Sequence, residues 1–325
     1  MKNLIAQNRA IIAALCVNLC IAIMKFVVAV LSGSASMLSE GVHSLADTMN
    51  QIVLLVGKRQ AVRPADRRHP FGYARVSFFA SFCVAALLFF VGGAYSLMEA
   101  VEKIGHIGEG SVAHDFGSFT VAAAILAVSV LLEGVSLRTV LHEVAEQQRH
   151  DGTQMSLLQF FRESRNSALL VVMIEDLAAI LGLMLALLGV VLTLITGNPL
   201  FDAVGGAAIG LLLIVAAFVL GREIASLIIG ESLSDSDVEQ IRQLVINTAN
   251  VADCHVVKTV AIGSDSVLVE VDVVFSDYDN LPAADLLASI ASIKAAIQAL
   301  LADQAAFINT CIEPVAASSE PDFAG

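Results

Sequence analysis

Tryptophan is absent from this 325-residue chain, tyrosine occurs three times, and only 15% of residues are charged against 57% hydrophobic. Soluble domains carry roughly 25% charge. So little charge, with a mean hydropathy of +0.80, excludes a single large soluble core and points to a polytopic membrane protein. The five cysteines form no CxxC pair and no regular framework, which excludes a disulfide scaffold. Cys16, Cys20 and Cys83 fall in apolar stretches and read as small buried hydrophobes. Basic residues are scarce towards the C-terminus. From Glu231 onward three basic residues (Arg242, Lys258, Lys294) stand against fifteen acidic ones, so this stretch holds nearly all of the net charge of −13. That imbalance disfavours nucleic acid as a partner and suits attraction of cations. Nucleotide-binding loop, nucleophile elbow and catalytic triad are all missing, which argues against an enzyme.

What is present is a series of six long apolar segments, at about 10–32, 36–57, 76–101, 116–141, 168–196 and 203–228. Each can cross a hydrocarbon layer of ~30 Å, which takes about 20 helical residues. The first is too long for the apolar core of a secretory signal, so no cleavable signal is expected. Lys58, Arg59, Arg63, Arg67, Arg68 and Arg75 gather between the second and third segments, and the positive-inside rule makes that loop cytoplasmic. Lys2 and Arg9 place the N-terminus on the same side, as do Arg149, Arg162 and Arg165 for the loop after the fourth segment. Both termini are then expected in the cytoplasm. The absence of a basic, arginine-rich leader tilts the expectation towards a bacterial inner membrane.

After Glu231 the pattern changes. In "LSDSDVEQIRQLV", Ser236 and Glu239 offer a capping box for an amphipathic helix. "CHVVKTVAIG" and "SVLVEVDVVF" read as strands joined by a short Ser-Asp turn. A helix near 282–302 opens at Pro282, and "FINTCIEPV" is a last strand. The expected fold class is an α-helical membrane domain (1–230) with six transmembrane helices, then a cytoplasmic α+β domain (231–315) of order αββαβ, ferredoxin- or metallochaperone-like. Residues 316–325 are expected to be disordered.

Polar groups interrupt the apolar spans in a pattern. "SEGVHSLADTMNQ" (39–51) sets Glu40, His43 and Asp47 at spacings of three and four, on one helical face. A charge at the bilayer centre costs roughly 2.5–3.5 kcal/mol on insertion scales, so such residues face a bundle interior or water. His43 and Asp47 can reach one divalent ion together, and imidazole with carboxylate is a common zinc donor pair. Tetrahedral zinc needs more ligands than this span can supply. The adjacent Glu175 and Asp176 of the fifth span are the evident donors, although neighbours on a helix diverge by about 100° and do not both face one ion. Asn18 and Lys25 lie on the first span, Glu133 near the middle of the fourth, and Asp202 opens the sixth. Lys25 and Glu133 are read as an internal ion pair or gating element, and Glu40 as a hydrated residue near the outer end of its span.

At these residues the chain resembles the cation diffusion facilitator family of divalent-metal/proton antiporters. "SGSASMLSEGVHSLADTMNQ" is similar to the family's second-span signature, "HPFGYAR" to its cytoplasmic motif, "NPLFDAVGGAAIG" to the start of its sixth span, and "VADCHVVKT" to its first C-terminal strand. The resemblance implies a zinc/proton antiporter that exports metal from the cytoplasm by alternating access, with Zn2+ as transported substrate, or Mn2+ or Fe2+, and protons as counter-ion. It implies a homodimer in the lipid bilayer. The transport site falls between the second and fifth spans, on His43, Asp47 and Asp176. Where the family places another ligand four residues before the last, this chain has Val172; Glu175 beside Asp176 resembles a divergent branch and joins the expected metal set. Asn18, Asn50 and Glu40 are expected auxiliaries. In the C-terminal domain, His255, Cys311 and Glu313 match positions that bind regulatory metal in relatives, with Glu270 and Asp272 on the second strand. Arg75 matches a position making charged contacts between protomers, with Glu231 its expected partner. A cation channel and a non-transporting metal sensor are the competing classes; flux independent of a proton gradient marks the first, and metal binding without flux the second.

Overall fold

The structure is a computed structural model describing residues 18–106, 116–150, 156–164, 166–277, 280–302, 305 and 307–315. The expectations for Lys2, Arg9, Cys16, Arg165, most of the loop before the fourth span and the tail 316–325 lie outside the described residues. The chain forms two compact units. One comprises the described residues of 1–58, 79–147 and 168–224, and the other those of 59–78, 148–167 and 225–325.

Over its described residues every expected span is a helix. These are α1, described over Asn18–Ser32; α2, Ala35–Ala61; α3, Val76–Gly105; α4, Phe116–His150; α6, Ser167–Thr196; and α7, Leu200–Ile229. Between the fourth and fifth spans a short α5, Leu157–Glu163, opens on a capping box of Ser156 and Gln159 that the sequence reading did not anticipate. α3, α4, α6 and α7 are long and apolar enough to cross a membrane; α2, with 27 residues, is long enough but falls short on hydropathy. Its polar stripe is the reason. Cys20, expected in the core, lies on an exposed face of α1, and Cys83 is half-buried.

The first unit packs around Met37, Leu88, Phe119, Leu126, Leu183, Ile209 and Leu213. α3 is not uniform, because Leu88–Ala94 form a π-helical stretch. There α3 meets α7 backbone to backbone. A Cβ on Gly93 would lie 2.6 Å from Ile214 Cγ1, and one on Gly210 would lie 2.6 Å from the Leu97 nitrogen. Small residues allow helices this close approach within a membrane.

The second unit holds α8 (Asp235–Ile246), β1 (Val251–Gly263), β2 (Ser266–Phe275), α9 (Ala283–Leu300) and β3 (Phe307–Pro314). The order αββαβ is the expected one. β1 and β2 pair antiparallel through the Ser264–Asp265 turn, and β3 joins β2 in parallel. The alternation in β2 turns Val267, Val269, Val271 and Val273 to the core, against Ile241 and Val245 of α8 and Ile293 and Ile297 of α9. α9 is apolar enough to span a membrane, yet its buried stripe packs on this sheet. The cap of α8 differs from the expectation. Ser234, not Ser236, accepts the Asp237 N–H (3.2 Å), so the helix starts where the first of the two serines turns out of extended backbone.

In the loop of the second unit between α2 and α3, Asp66 accepts the N–H groups of Arg68 (2.8 Å) and His69 (2.7 Å) and the Tyr73 hydroxyl (2.6 Å). The Tyr73 hydrogen bond, with those N–H groups, lowers the Asp66 carboxyl to about 2. Arg63 lies 4.8 Å over the Tyr73 ring.

Candidate metal centre

The placing of α2 begins at a residue distant in sequence. A helix N-terminus leaves backbone N–H groups without partners, and here the Asp202 carboxylate of α7 takes them. It accepts the N–H groups of Ala35 (2.6 Å) and Ser36 (3.3 Å) and the Ser34 hydroxyl (2.5 Å), while Ser34 Oγ accepts the Met37 N–H (3.1 Å). Lys103 of α3 lies 3.3 Å from the same carboxylate and also donates to the Gly33 carbonyl. Gly33 turns the chain between α1 and α2 at φ +62°, a left-handed conformation that glycine adopts without steric cost. Asp202 is fully buried. Its role as a remote cap escaped the sequence reading, which saw only an acid at a helix start.

With its end pinned, α2 turns Glu40, His43, Asp47 and Asn50 inward. Glu40 is not hydrated. It is fully buried, and Lys25 of α1 lies 3.3 Å from it and 2.8 Å from the Ser44 hydroxyl. The expected Lys25–Glu133 pair is therefore replaced by Lys25–Glu40, because α1 packs on α2 at this level. A Cβ on Gly182 of α6 would come within 2.9 Å of the Glu40 carboxylate, so glycine makes room for the acid.

His43 is 1% exposed, and among the described residues neither ring nitrogen has a hydrogen-bond partner. Its Nδ1 is 3.6 Å from Asp47 Oδ1, an ion-pair distance too long for a hydrogen bond. Asp47 keeps 22% of its side chain exposed, and its Oδ1 also lacks a partner. Buried polar atoms left without partners cost about 1–3 kcal/mol each, a cost that a cation or proton held between an imidazole and a carboxylate would offset.

α6 supplies the acid pair. Glu175 is buried and accepts from the Asn50 side-chain amide. Asp176, half-buried, accepts the Ser136 hydroxyl of α4 (2.9 Å). The two carboxylates diverge as neighbours on a helix must: Glu175 turns to α2 and Asp176 to α4. Asn18 is half-buried on α1, seven residues before Lys25 and so on the same face. Ser136 was not anticipated, although its spacing of three from Glu133 could have pointed to it. One imidazole with several carboxylates suits zinc, and also manganese or ferrous iron.

In the second unit the gathered acids are Glu270, Asp272 and Glu313. Their oxygens lie within 4.8 Å of one another, the only such group of three donors among the described residues. Pairing of Glu270 with Cys311 and of Asp272 with Glu313 across β2 and β3 brings them together. Lys258 of β1 lies 3.6 Å from Glu270. Cys311 is exposed beside them. His255 stays outside the group, at a register shift of β1, with Asp253 4.0 Å away. Cys254, its neighbour, is buried, and burial raises its thiol to about 11. Arg75 is exposed. Glu231 accepts the Ser226 hydroxyl (3.4 Å) with its side chain and the Ala261 N–H (2.9 Å) with its carbonyl.

Comparison with known proteins gives consistent matches. The family model described as the cation efflux transmembrane domain matches residues 11–229. The chain is similar to the mitochondrial proton-coupled zinc antiporter SLC30A9 of Xenopus laevis, with 34% identity over 269 residues, or 82% of this chain and 46% of that protein. Its Homo sapiens counterpart is 32% identical over the same shares. Metal tolerance protein C4 of Arabidopsis thaliana is 29% identical over 271 residues, 83% of this chain and 57% of that protein. The chain spans about half the length of these curated relatives.

Proposed function

The chain belongs to the cation efflux family of multi-pass membrane proteins, and we propose that it carries a divalent metal ion, zinc foremost, across the membrane in exchange for protons. The observation that carries this reading is His43, buried with both nitrogens unpartnered beside Asp47. Metal and protons compete for the same lone pairs, because ligation needs neutral imidazole and ionised carboxylate. In the proposed cycle the metal displaces protons at His43, Asp47 and Asp176 on one side of the membrane. The bundle then reorients, and protons from the far side release the ion. Asn50 holds Glu175 and Ser136 holds Asp176 in orientation. Similarity to a zinc antiporter supports zinc; the carboxylate majority supports Mn2+ or Fe2+ as further substrates of the same site.

The basic loop after α2 supports uptake from a cytoplasmic or equivalent face, with both termini on that side. The mitochondrial relatives lend no support to a bacterial inner membrane. A homodimer in which residues 231–315 regulate and dimerise belongs to the same reading, with Arg75 and Glu231 in charged contact between protomers. His255, Cys311 and Glu313 belong to it as the regulatory metal set; the Glu270–Asp272–Glu313 group supports Glu313 most.

The test is uptake of Zn2+ and Mn2+ into proteoliposomes, with and without a pH gradient, beside Asp47→Ala. Gradient-driven zinc uptake lost in the variant is the expected result. Manganese uptake alone would shift the substrate, and flux indifferent to the gradient would mean a channel. Tight binding without flux would mean a sensor.

A further inference from the structure

α4 adds a group that the pairing of α2 with α6 does not account for. Phe119, Ala122, Leu126 and Ser129, then Val140 and Val144, are buried along it, in steps of three and four on either side of a step of eleven residues, about three turns, which keeps them on one helical face turned into the bundle. Glu133 falls on this stripe, half-buried, whereas Leu131, Leu132 and Val135 on its flanks are exposed. It is the central residue of the 35 in α4, the depth at which a carboxylate is functional by default. Lys25, the cation expected to neutralise it, is held by Glu40 and Ser44. One turn further along, Ser136 donates to Asp176, which sets this part of α4 against the metal site. Glu133 lies within electrostatic reach of His43, Asp47 and Asp176.

We propose that Glu133 is a metal ligand of the His43–Asp47–Asp176 site, supplied by a third helix. The inference rests on the transport reading above and deepens it. The site becomes one imidazole with carboxylates from α2, α4 and α6, an oxygen-rich set that takes Mn2+ or Fe2+ beside Zn2+. Glu133 is half-buried on the bundle-facing stripe of α4, open to water as a ligand reached during loading must be.

The experiment is zinc and manganese uptake by full-length protein in proteoliposomes, comparing wild type, Asp47→Ala, Glu133→Gln, Glu133→Asp and Glu133→His. Loss of a carboxylate ligand in Glu133→Gln is expected to raise KM for zinc by at least about tenfold, the smaller loss seen when a group that only orients a ligand is removed, and Glu133→Asp to recover part of that loss. A purely structural carboxylate would lower the amount of active protein and leave KM unchanged. Glu133→His keeps a donor and exchanges oxygen for nitrogen, so the zinc-to-manganese ratio is expected to rise about tenfold or more. An unchanged KM in Glu133→Gln, or an unchanged ratio in Glu133→His should Glu133→Gln fail to insert, overturns the proposal. Either result with inactive Asp47→Ala leaves the transport site standing. Full uptake by Asp47→Ala would overturn that reading as well.

Discussion

Two acidic groupings in this chain teach opposite lessons about proximity. On the sheet of the second unit, Glu270, Asp272 and Glu313 crowd within 4.8 Å, but water and Lys258 share their charge, and an exposed carboxylate costs little to keep. In the helical unit, His43, Asp47, Glu175 and Asp176 do not form so tight a group, yet His43 is sealed from solvent with both nitrogens unpartnered. Desolvation without partners marks a site more strongly than closeness does, because only the former stores free energy that a ligand can recover.

The sharpest way to break the comparison is to remove each group in turn. His43→Ala and Asp47→Ala are expected to lower zinc uptake at least 100-fold while thermal unfolding in detergent stays unchanged or improves, since unsatisfied polar atoms are lost with them. A fall in both uptake and stability would mean that these residues hold the fold instead. A buried charge paired with an opposite one, as Glu40 is through one oxygen with Lys25 while its Oε1 keeps no partner among the described residues, should show the reverse cost. Lys25→Met strands the Glu40 carboxylate and is expected to destabilise by about 3–5 kcal/mol, read in the same unfolding assay, whereas Lys25→Met with Glu40→Leu recovers most of the loss. Asp202→Ala removes the cap of α2 and is expected to cost about 3 kcal/mol, with metal uptake falling alongside. Glu270→Gln with Asp272→Asn should change zinc uptake less than twofold; a larger effect would promote the sheet cluster to a working metal site.

The smallest effect is expected at Asp66. Its carboxyl is lowered to about 2 from an ordinary 3.8, so its contribution to the loop is complete above about 3.8 and disappears as pH falls through about 2. The amide signals of Arg68 and His69 should hold from pH 7 to 4 and shift below that. Asp66→Asn should disturb them already at neutral pH.

Much of this was legible beforehand because it depends on short spacings. The stripe of Glu40, His43 and Asp47, the alternation of β2 and the lengths of the spans follow from periods of 3.6 and 2. Pairings across helices were not legible. Lys25 was matched with Glu133 because both are charges in apolar helices, yet which charges meet depends on how α1 and α4 pack against α2. The cap of α8 was misplaced by two residues because Ser234 and Ser236 carry the same chemistry, and only the backbone decides which one leaves the extended conformation.

The sequence by itself determined that this chain crosses a membrane, that a small α+β domain follows, and that one helical face holds ionisable groups where lipid would forbid them, since each is a property of local composition and period. The tertiary structure alone decided that Asp202 caps a helix begun 167 residues earlier, that Glu40 belongs to Lys25, and that Asp176 turns to Ser136 of α4. Those contacts join elements far apart in the chain, and packing, not periodicity, selects them.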